Sequence, residues 1–180
     1  VDGIMYTVQA PNDVIALDAA TGRIFWSYSY TPEQAARPCC GRVNRGVAIH
    51  GDTLFMATID AHLIAVDAKN GRPLWDVKVA KPESGYAMTV APLVIEDKVI
   101  IGTAGGEYGI RGFIAAFDPA TGREIWRFHT VPAPGEPGSD TWSGDAWKTG
   151  GGSVWLTGTY DPALNLTYWG VGNPGPDYNP

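Results

Sequence analysis

Short apolar runs rich in Val, Ile, Ala and Phe alternate along the chain with turns built from Gly, Asp, Asn and Pro, the rhythm of strands joined by tight connections. Three times the same eleven positions recur: Ala16-Leu17-Asp18-Ala19-Ala20-Thr21-Gly22-Arg23-Ile24-Phe25-Trp26, then Ala65 through Trp75, then Ala116 through Trp126. Each copy predicts an apolar strand ending in Asp, a turn whose glycine (Gly22, Gly71 or Gly122) accepts positive φ, and a second strand carrying a Trp. The copies stand about 50 residues apart, the range of propeller and solenoid arrays.

Around the third copy the pattern predicts strands at Leu93–Ile95, Lys98–Thr103, Gly112–Phe117 and Arg123–His129, with a tight turn at Glu96-Asp97 and a Gly-rich loop before Gly112. Around the second it predicts Gly46–Ile49, Thr53–Thr58, His62–Val66 and Pro73–Val79. The first unit shows only Ile4–Val8, Val14–Leu17 and Arg23–Tyr28, and the last only Ser153–Thr157 and Leu166–Val171. The expected fold is all-β: a β-propeller of four-stranded antiparallel blades, with a partial blade at residues 1–30, blades at 46–79 and 92–129, and a partial blade at 153–171. A propeller removes its sheet edges by closing into a ring. These units cannot close, so the chain is expected to be a fragment of one larger propeller domain, about three blades' worth. The connections at 31–43, 81–90 and 131–152 are long for hairpins, and long loops over a rigid scaffold are where function sits.

Composition narrows the function. The chain is 44% hydrophobic and 11% aromatic, enough for a packed core, and its 23 glycines and 14 prolines suit many strands with tight turns. Charged residues make up only 18% and the net charge is −6, which repels a phosphate backbone and argues against nucleic acid as a partner. No apolar run approaches the ~18 residues of a membrane span, so no transmembrane segment is expected in this chain.

The candidate chemistry lies in the loops. Cys39 and Cys40 are adjacent and are the chain's only cysteines. Neighbouring Cα atoms sit about 3.8 Å apart whereas disulfides usually span about 4.4–6.8 Å, so the pair is either a strained vicinal disulfide or two reduced, buried thiols. Two cysteines and three scattered histidines (His50, His62, His129) give no zinc spacing. Glu107 stands in Gly102-Thr103-Ala104-Gly105-Gly106-Glu107-Tyr108-Gly109. It is either a solvated loop residue or a carboxylate aimed at a ligand that the glycines let the backbone approach. The glycine spacing fits neither nucleotide fingerprint. Asn173 in Gly172-Asn173-Pro174-Gly175 offers a neutral oxygen for a hard cation, or opens an ordinary turn. Trp155, after Gly150-Gly151-Gly152-Ser153-Val154, could floor an aromatic cofactor, whereas Trp26, Trp75 and Trp126 are expected to pack blade against blade. Arg45 is suited to a ligand carboxylate or to a surface or interblade ion pair. No Gly-x-Ser-x-Gly elbow is present.

Together these segments resemble the quinoprotein alcohol dehydrogenases, the methanol and ethanol dehydrogenase family that uses pyrroloquinoline quinone (PQQ). The resemblance rests on the Ala-x-Asp-x-x-x-Gly-x-x-x-Trp repeat, Cys39-Cys40-x-x-x-Asn44-Arg45-Gly46, Gly105-Gly106-Glu107-Tyr108-Gly109, Trp147 through Trp155, and Gly170-Val171-Gly172-Asn173. It implies an eight-bladed propeller with the quinone near its axis. Cys39 and Cys40 would form a vicinal disulfide over one face of the quinone, with Trp155 stacked on the other. Arg45, Thr89 and Ser153 would hold its carboxylates and carbonyls, and the backbone of Gly105 and Gly106 would lie against it. Glu107 and Asn173 would ligate the metal, Ca2+ or a lanthanide ion. The implied reaction is oxidation of a primary alcohol to an aldehyde, with a c-type cytochrome as electron acceptor and a periplasmic location. The family's catalytic Asp is expected beyond Pro180, so no catalytic residue is assigned within the chain and the chain alone is expected to be inactive.

Two other readings compete. A non-enzymatic propeller scaffold of the outer-membrane assembly type would need the repeat but not the cysteine pair or the Glu and Asn segments. A glycoside-processing propeller using Glu107 would need a second carboxylate, for which the chain offers no identifiable candidate. The three non-repeat segments favour the dehydrogenase.

Overall fold

Residues 1–176 are described by a computed structural model, in which consecutive strands of each sheet pair antiparallel. β1 (Ile4–Gln9), β2 (Asp13–Asp18) and β3 (Ile24–Tyr28) form a three-stranded sheet. β4 (Val47–His50), β5 (Thr53–Ala57), β6 (His62–Asp67) and β7 (Pro73–Lys78) form a four-stranded one. A second four-stranded sheet contains β8 (Leu93–Ile95), β9 (Lys98–Gly102), β10 (Phe113–Phe117) and β11 (Glu124–His129), and β12 (Thr159–Asp161) pairs with β13 (Leu166–Tyr168). Sequence order equals spatial order in every sheet, as a propeller blade requires.

The repeat is legible in atomic detail. Within each copy the ladder slips by one residue immediately after the alanine, between Ala16 and Leu17, Ala65 and Val66, and Ala116 and Phe117. The bulge leaves Phe25, Leu74 and Ile125 unpaired on the outer strand and twists that strand more tightly. Each alanine sits directly across from the motif Trp and is fully buried. The following Asp closes the turn: Asp18 accepts from the Ala20 and Thr21 amides, and Asp118 from Ala120 and Thr121. Hydrogen bonds lower both acids below the ordinary carboxylate value, chiefly from the Ala20 amide at Asp18 and from the Thr121 side chain at Asp118.

Strand alternation then divides the core between neighbouring sheets. Leu54, Met56, Ile64 and Val66 pack with Val14 of the first sheet. The intervening Phe55, Ala57, Leu63 and Ala65 pack with Val99, Ile101, Phe113 and Ala115 of the next. Strands covered on both faces read as unbroken apolar runs, which is the pattern of β5, β6 and β10. The motif tryptophans lock adjacent sheets, as the repeat predicts for Trp26 and Trp75: the Trp26 indole N–H donates to Ala68 O (3.2 Å) and that of Trp75 to Pro119 O (3.0 Å). Trp126, for which the repeat predicts the same packing, is instead 38% exposed.

Glycine is obligatory where this lock closes. Gly71 has φ +73°, and a Cβ there would stand 2.5 Å from Trp26 Cε3. Gly71→Ala is expected to cost roughly 2–4 kcal/mol of stability, from left-handed strain plus overpacking. Gly51→Ala, at φ +57° in open space, should lose only about 1 kcal/mol. Denaturant unfolding of the two variants checks the difference.

The pattern predicts a strand over Ser153–Thr157, and here the structure differs. This stretch lies outside any ladder, and the hairpin begins at Thr159. The stretch is held by single bonds instead, from the Val154 amide to Thr103 O (2.7 Å) and from the Gly172 amide to Ser153 O (2.7 Å). Val154 is buried against Ile100, Ile114 and Ala116, so an apolar alternation that reads as a strand serves to plug the flank of the preceding sheet. Among the described residues no helix is long and apolar enough to cross a membrane.

Candidate functional site

The turns and loops at one end of the sheets carry the unusual residues. Cys39 and Cys40 are joined in a disulfide across a Cα–Cα distance of 3.8 Å. Farther along the same loop, the Arg45 amide and guanidinium both donate to Thr89 O, at 3.2 and 3.1 Å. The Thr89 loop is in turn paired with the Glu107 loop through reciprocal amide bonds between Ala87 and Ala104 (3.1 and 2.8 Å). Glu107 sits in a 3-10 turn, Gly106–Tyr108, bounded by Gly105 (φ +115°) and Gly109 (φ +69°). Those backbone angles exclude other residues without strain.

The glycine run Gly150-Gly151-Gly152 brings Asn173 to the same place. Gly112 N bonds to Gly151 O (2.7 Å) and Gly151 N to Ile110 O (2.9 Å), while Gly152 N bonds to Asn173 O (3.0 Å) and Gly175 N to Gly150 O (2.8 Å). A Cβ on Gly151 would stand 2.6 Å from Gly175 N. Only bare backbone lets three segments meet so closely.

The outcome is one cavity of about 300 Å³ whose wall includes Cys39, Cys40, Arg45, Thr89, Gly105, Glu107, Trp155 and Asn173. The Arg45 guanidinium lies 5.0 Å from the centre of the Trp155 ring, a cation–π contact. Gly106 and Ser153 do not line the cavity; both are buried, and a Cβ on Gly106 would stand 3.0 Å from Ser153 Oγ, so the two support the wall from behind. Pro38, Gly41, Val43 and Ala104 complete the lining. They are residues whose types carry no chemical signal, and only their neighbourhood in the chain could have marked them. A groove of about 460 Å³ between the first two sheets, lined by Val1, Ile4, Met5 and Leu54 among others, presents no carboxylate, thiol or imidazole.

None of the three histidines lines the cavity, and two of them are engaged elsewhere. His62 Nδ1 lies 2.7 Å from Asp76 Oδ1. His129 stacks edge-on against Phe113, and burial first, then the charge of Arg111, holds it below the ordinary imidazole value. Among the described residues no group of three His, Cys, Asp or Glu side chains could hold a metal by itself. The cavity's donors for a cation are therefore oxygens, the Glu107 carboxylate and the Asn173 amide, a set suited to a hard ion.

The family profile of the glucose/ethanol/alcohol dehydrogenase β-propeller domain, PQQ, matches residues 1–179. The chain belongs to this family. The quinohemoprotein alcohol dehydrogenase ADH IIB of Pseudomonas putida is 45% identical, with 97% of this chain and 27% of that protein aligned. The lanthanide-dependent methanol dehydrogenase of Methylacidiphilum fumariolicum is 41% identical over 95% of this chain and 32% of its own length. Among solved structures, a europium-containing methanol dehydrogenase superposes with a TM-score of 0.91 at 39% identity, covering 97% of this chain and 34% of its own. This quinoprotein propeller segment thus spans about a third or less of the proteins it matches.

Proposed function

We propose that the chain forms one wall of the quinone and metal site of a PQQ-dependent alcohol dehydrogenase that oxidises primary alcohols to aldehydes. The observation that carries this reading is the convergence of Cys39-Cys40, Arg45, Thr89, Gly105, Glu107, Trp155 and Asn173 on one cavity.

The residues fit the cofactor and ion. Trp155 offers an aromatic face and the cysteine pair a sulfur surface to a planar ring. Arg45 spends one N–H on Thr89 O, and its remaining donors are available to an anionic cofactor's carboxylate. Glu107 would contribute one negative charge and Asn173 a neutral oxygen to Ca2+ or a lanthanide ion. When bound, the quinone supplies the hydride acceptor and the ion a Lewis acid. This chain's part is to bind, orient and exclude water. The proton acceptor for the alcohol hydroxyl is assigned to a carboxylate outside these 180 residues, and a c-type cytochrome to the onward electron transfer. Both cysteines are oxidised, in keeping with a periplasmic location.

The test is reconstitution of the full-length protein carrying this segment with PQQ and either calcium or a lanthanide. The expected result is quinone absorption retained after desalting, together with dye-linked oxidation of a primary alcohol that depends on both additions. A protein that retains neither quinone nor metal would be a scaffold, and the proposal would fail.

A further inference from the structure

The loop that carries the disulfide is tethered at a point the proposed chemistry does not use. We infer that Asp60 is a positioning residue for the cofactor wall: a buried carboxylate in the β5–β6 hairpin that, through Tyr30 and the Glu33 amide, sets where the Cys39–Cys40 loop stands. The inference deepens the proposed function and rests on it for the word cofactor, although the tether itself does not.

Asp60 is fully buried. Its Oδ2 accepts from the Tyr30 hydroxyl (2.9 Å) and from the Glu33 amide (2.8 Å), and its Oδ1 accepts from the Thr58 hydroxyl. Thr58 is fastened on its other side by the His62 amide (3.0 Å), so the acid is held in a rigid hairpin rather than on a mobile arm. Three donors converging on one carboxylate make charge-assisted bonds, stronger than neutral ones and stronger still away from water. Burial first, then the charge of Asp60, drives the Tyr30 hydroxyl far above the ordinary phenol range, so it stays a donor at any working pH.

The Glu33 side chain adds Lys78 at 2.8 Å, and His62 Nε2 lies 3.7 Å away. Lys78 and Glu33 are both more than 40% exposed, and such pairs contribute little. The other leg of the loop is held by Asn44, which donates to Ala57 O (2.9 Å) and accepts from the Gly46 amide. Between Glu33 and Asn44 the described backbone hydrogen bonds are local, Ala36 to Glu33 and Val43 to Gly41. The disulfide therefore rides on a span whose two ends are fixed to one hairpin, Ala57 through Ala61, and Asp60 is the fixed point of the near end. In the sequence Asp60 falls between the predicted strands Thr53–Thr58 and His62–Val66.

The experiment follows reduction of Cys39–Cys40 by a soluble phosphine in the cofactor-free full-length protein, with the freed thiols tagged and mapped by mass spectrometry. Asp60→Ala is expected to speed reduction about tenfold, and Tyr30→Phe about threefold, as loss of charge-assisted bonds loosens the loop. Asp60→Asn, whose single oxygen can still accept from Tyr30 and Glu33, should fall between the parent and Asp60→Ala. Ile100→Val, a core change far along the chain, should lower the melting temperature but leave the reduction rate unchanged. If Asp60→Ala does not fold, the conservative Tyr30→Phe and Asp60→Asn variants carry the test. Equal reduction rates in parent, Tyr30→Phe and Asp60→Asn, or acceleration by Ile100→Val to the same extent, would overturn the inference. Failure of the parent to bind PQQ would instead strike the proposed function and leave the tether standing.

Discussion

Replacing Glu107 with Gln is expected to lower metal retention by the full-length protein about a hundredfold and to abolish most alcohol oxidation, while leaving the melting temperature nearly unchanged. The substitution keeps shape and one oxygen but removes the single formal negative charge that this cavity offers a cation. For a hard ion held by oxygens, affinity follows the charge count of the ligands. Stability is spared because Glu107 is exposed on its 3-10 turn. Metal analysis after dialysis, calorimetric titration with calcium or a lanthanide, and thermal unfolding check the three parts separately. Unchanged metal content would remove Glu107 from the ligand set.

Gly105→Ala is expected to act through the backbone beneath the same carboxylate. Gly105 has φ +115°, and a Cβ there would stand 2.1 Å from Gly85 O. The nearest obstacle is the Gly85 main chain, next to the paired Ala87 and Ala104, so no rotamer change can clear it. The expected loss is about 3–4 kcal/mol of stability, from a disallowed backbone angle and a steric overlap together. The turn bearing Glu107 must also shift, so metal retention should fall in this variant too. Gly135→Ala provides the comparison: it has φ +90° but nothing within 4 Å, and should cost only about 1 kcal/mol. Denaturant unfolding of the two variants, with metal content measured on each, tests whether the junction holds the turn in place.

Local pattern made the repeat legible. The alternation of apolar and polar positions, the turn Asp and the glycine that follows it are short-range signals, and they locate β5, β6, β9 and β10 to within a residue or two. The same logic misread Ser153–Thr157, because Val154 is buried by contact with Ile100 and Ala116 rather than by pairing in a ladder. Burial gives one apolar signature whichever way it arises. At the site, Cys39-Cys40, Glu107 and Trp155 stood out by type and neighbours, whereas Val43 and Ala104 on the same wall did not, since a small apolar residue looks alike in a core and in a pocket. Asp60 stayed invisible because its partners, Tyr30 and Glu33, lie about 30 positions away in sequence, beyond the reach of any turn or strand rule.

From the amino-acid order alone come the all-β repeat, the sheet sequence and the residue types able to grip an oxygen-ligated ion and a flat cofactor, because each is written in neighbours within one hairpin or loop. Which of those residues share a wall was decided only by tertiary structure. The Gly150–Gly152 strip draws Asn173 in beside the loop of Ile110 and Gly112, the Arg45 bonds to Thr89 O join the first loop to the second, and Asp60 accepts from Tyr30 and from the Glu33 amide ahead of the disulfide. Such contacts link segments that meet only when one sheet packs on the next, and no local preference encodes that meeting.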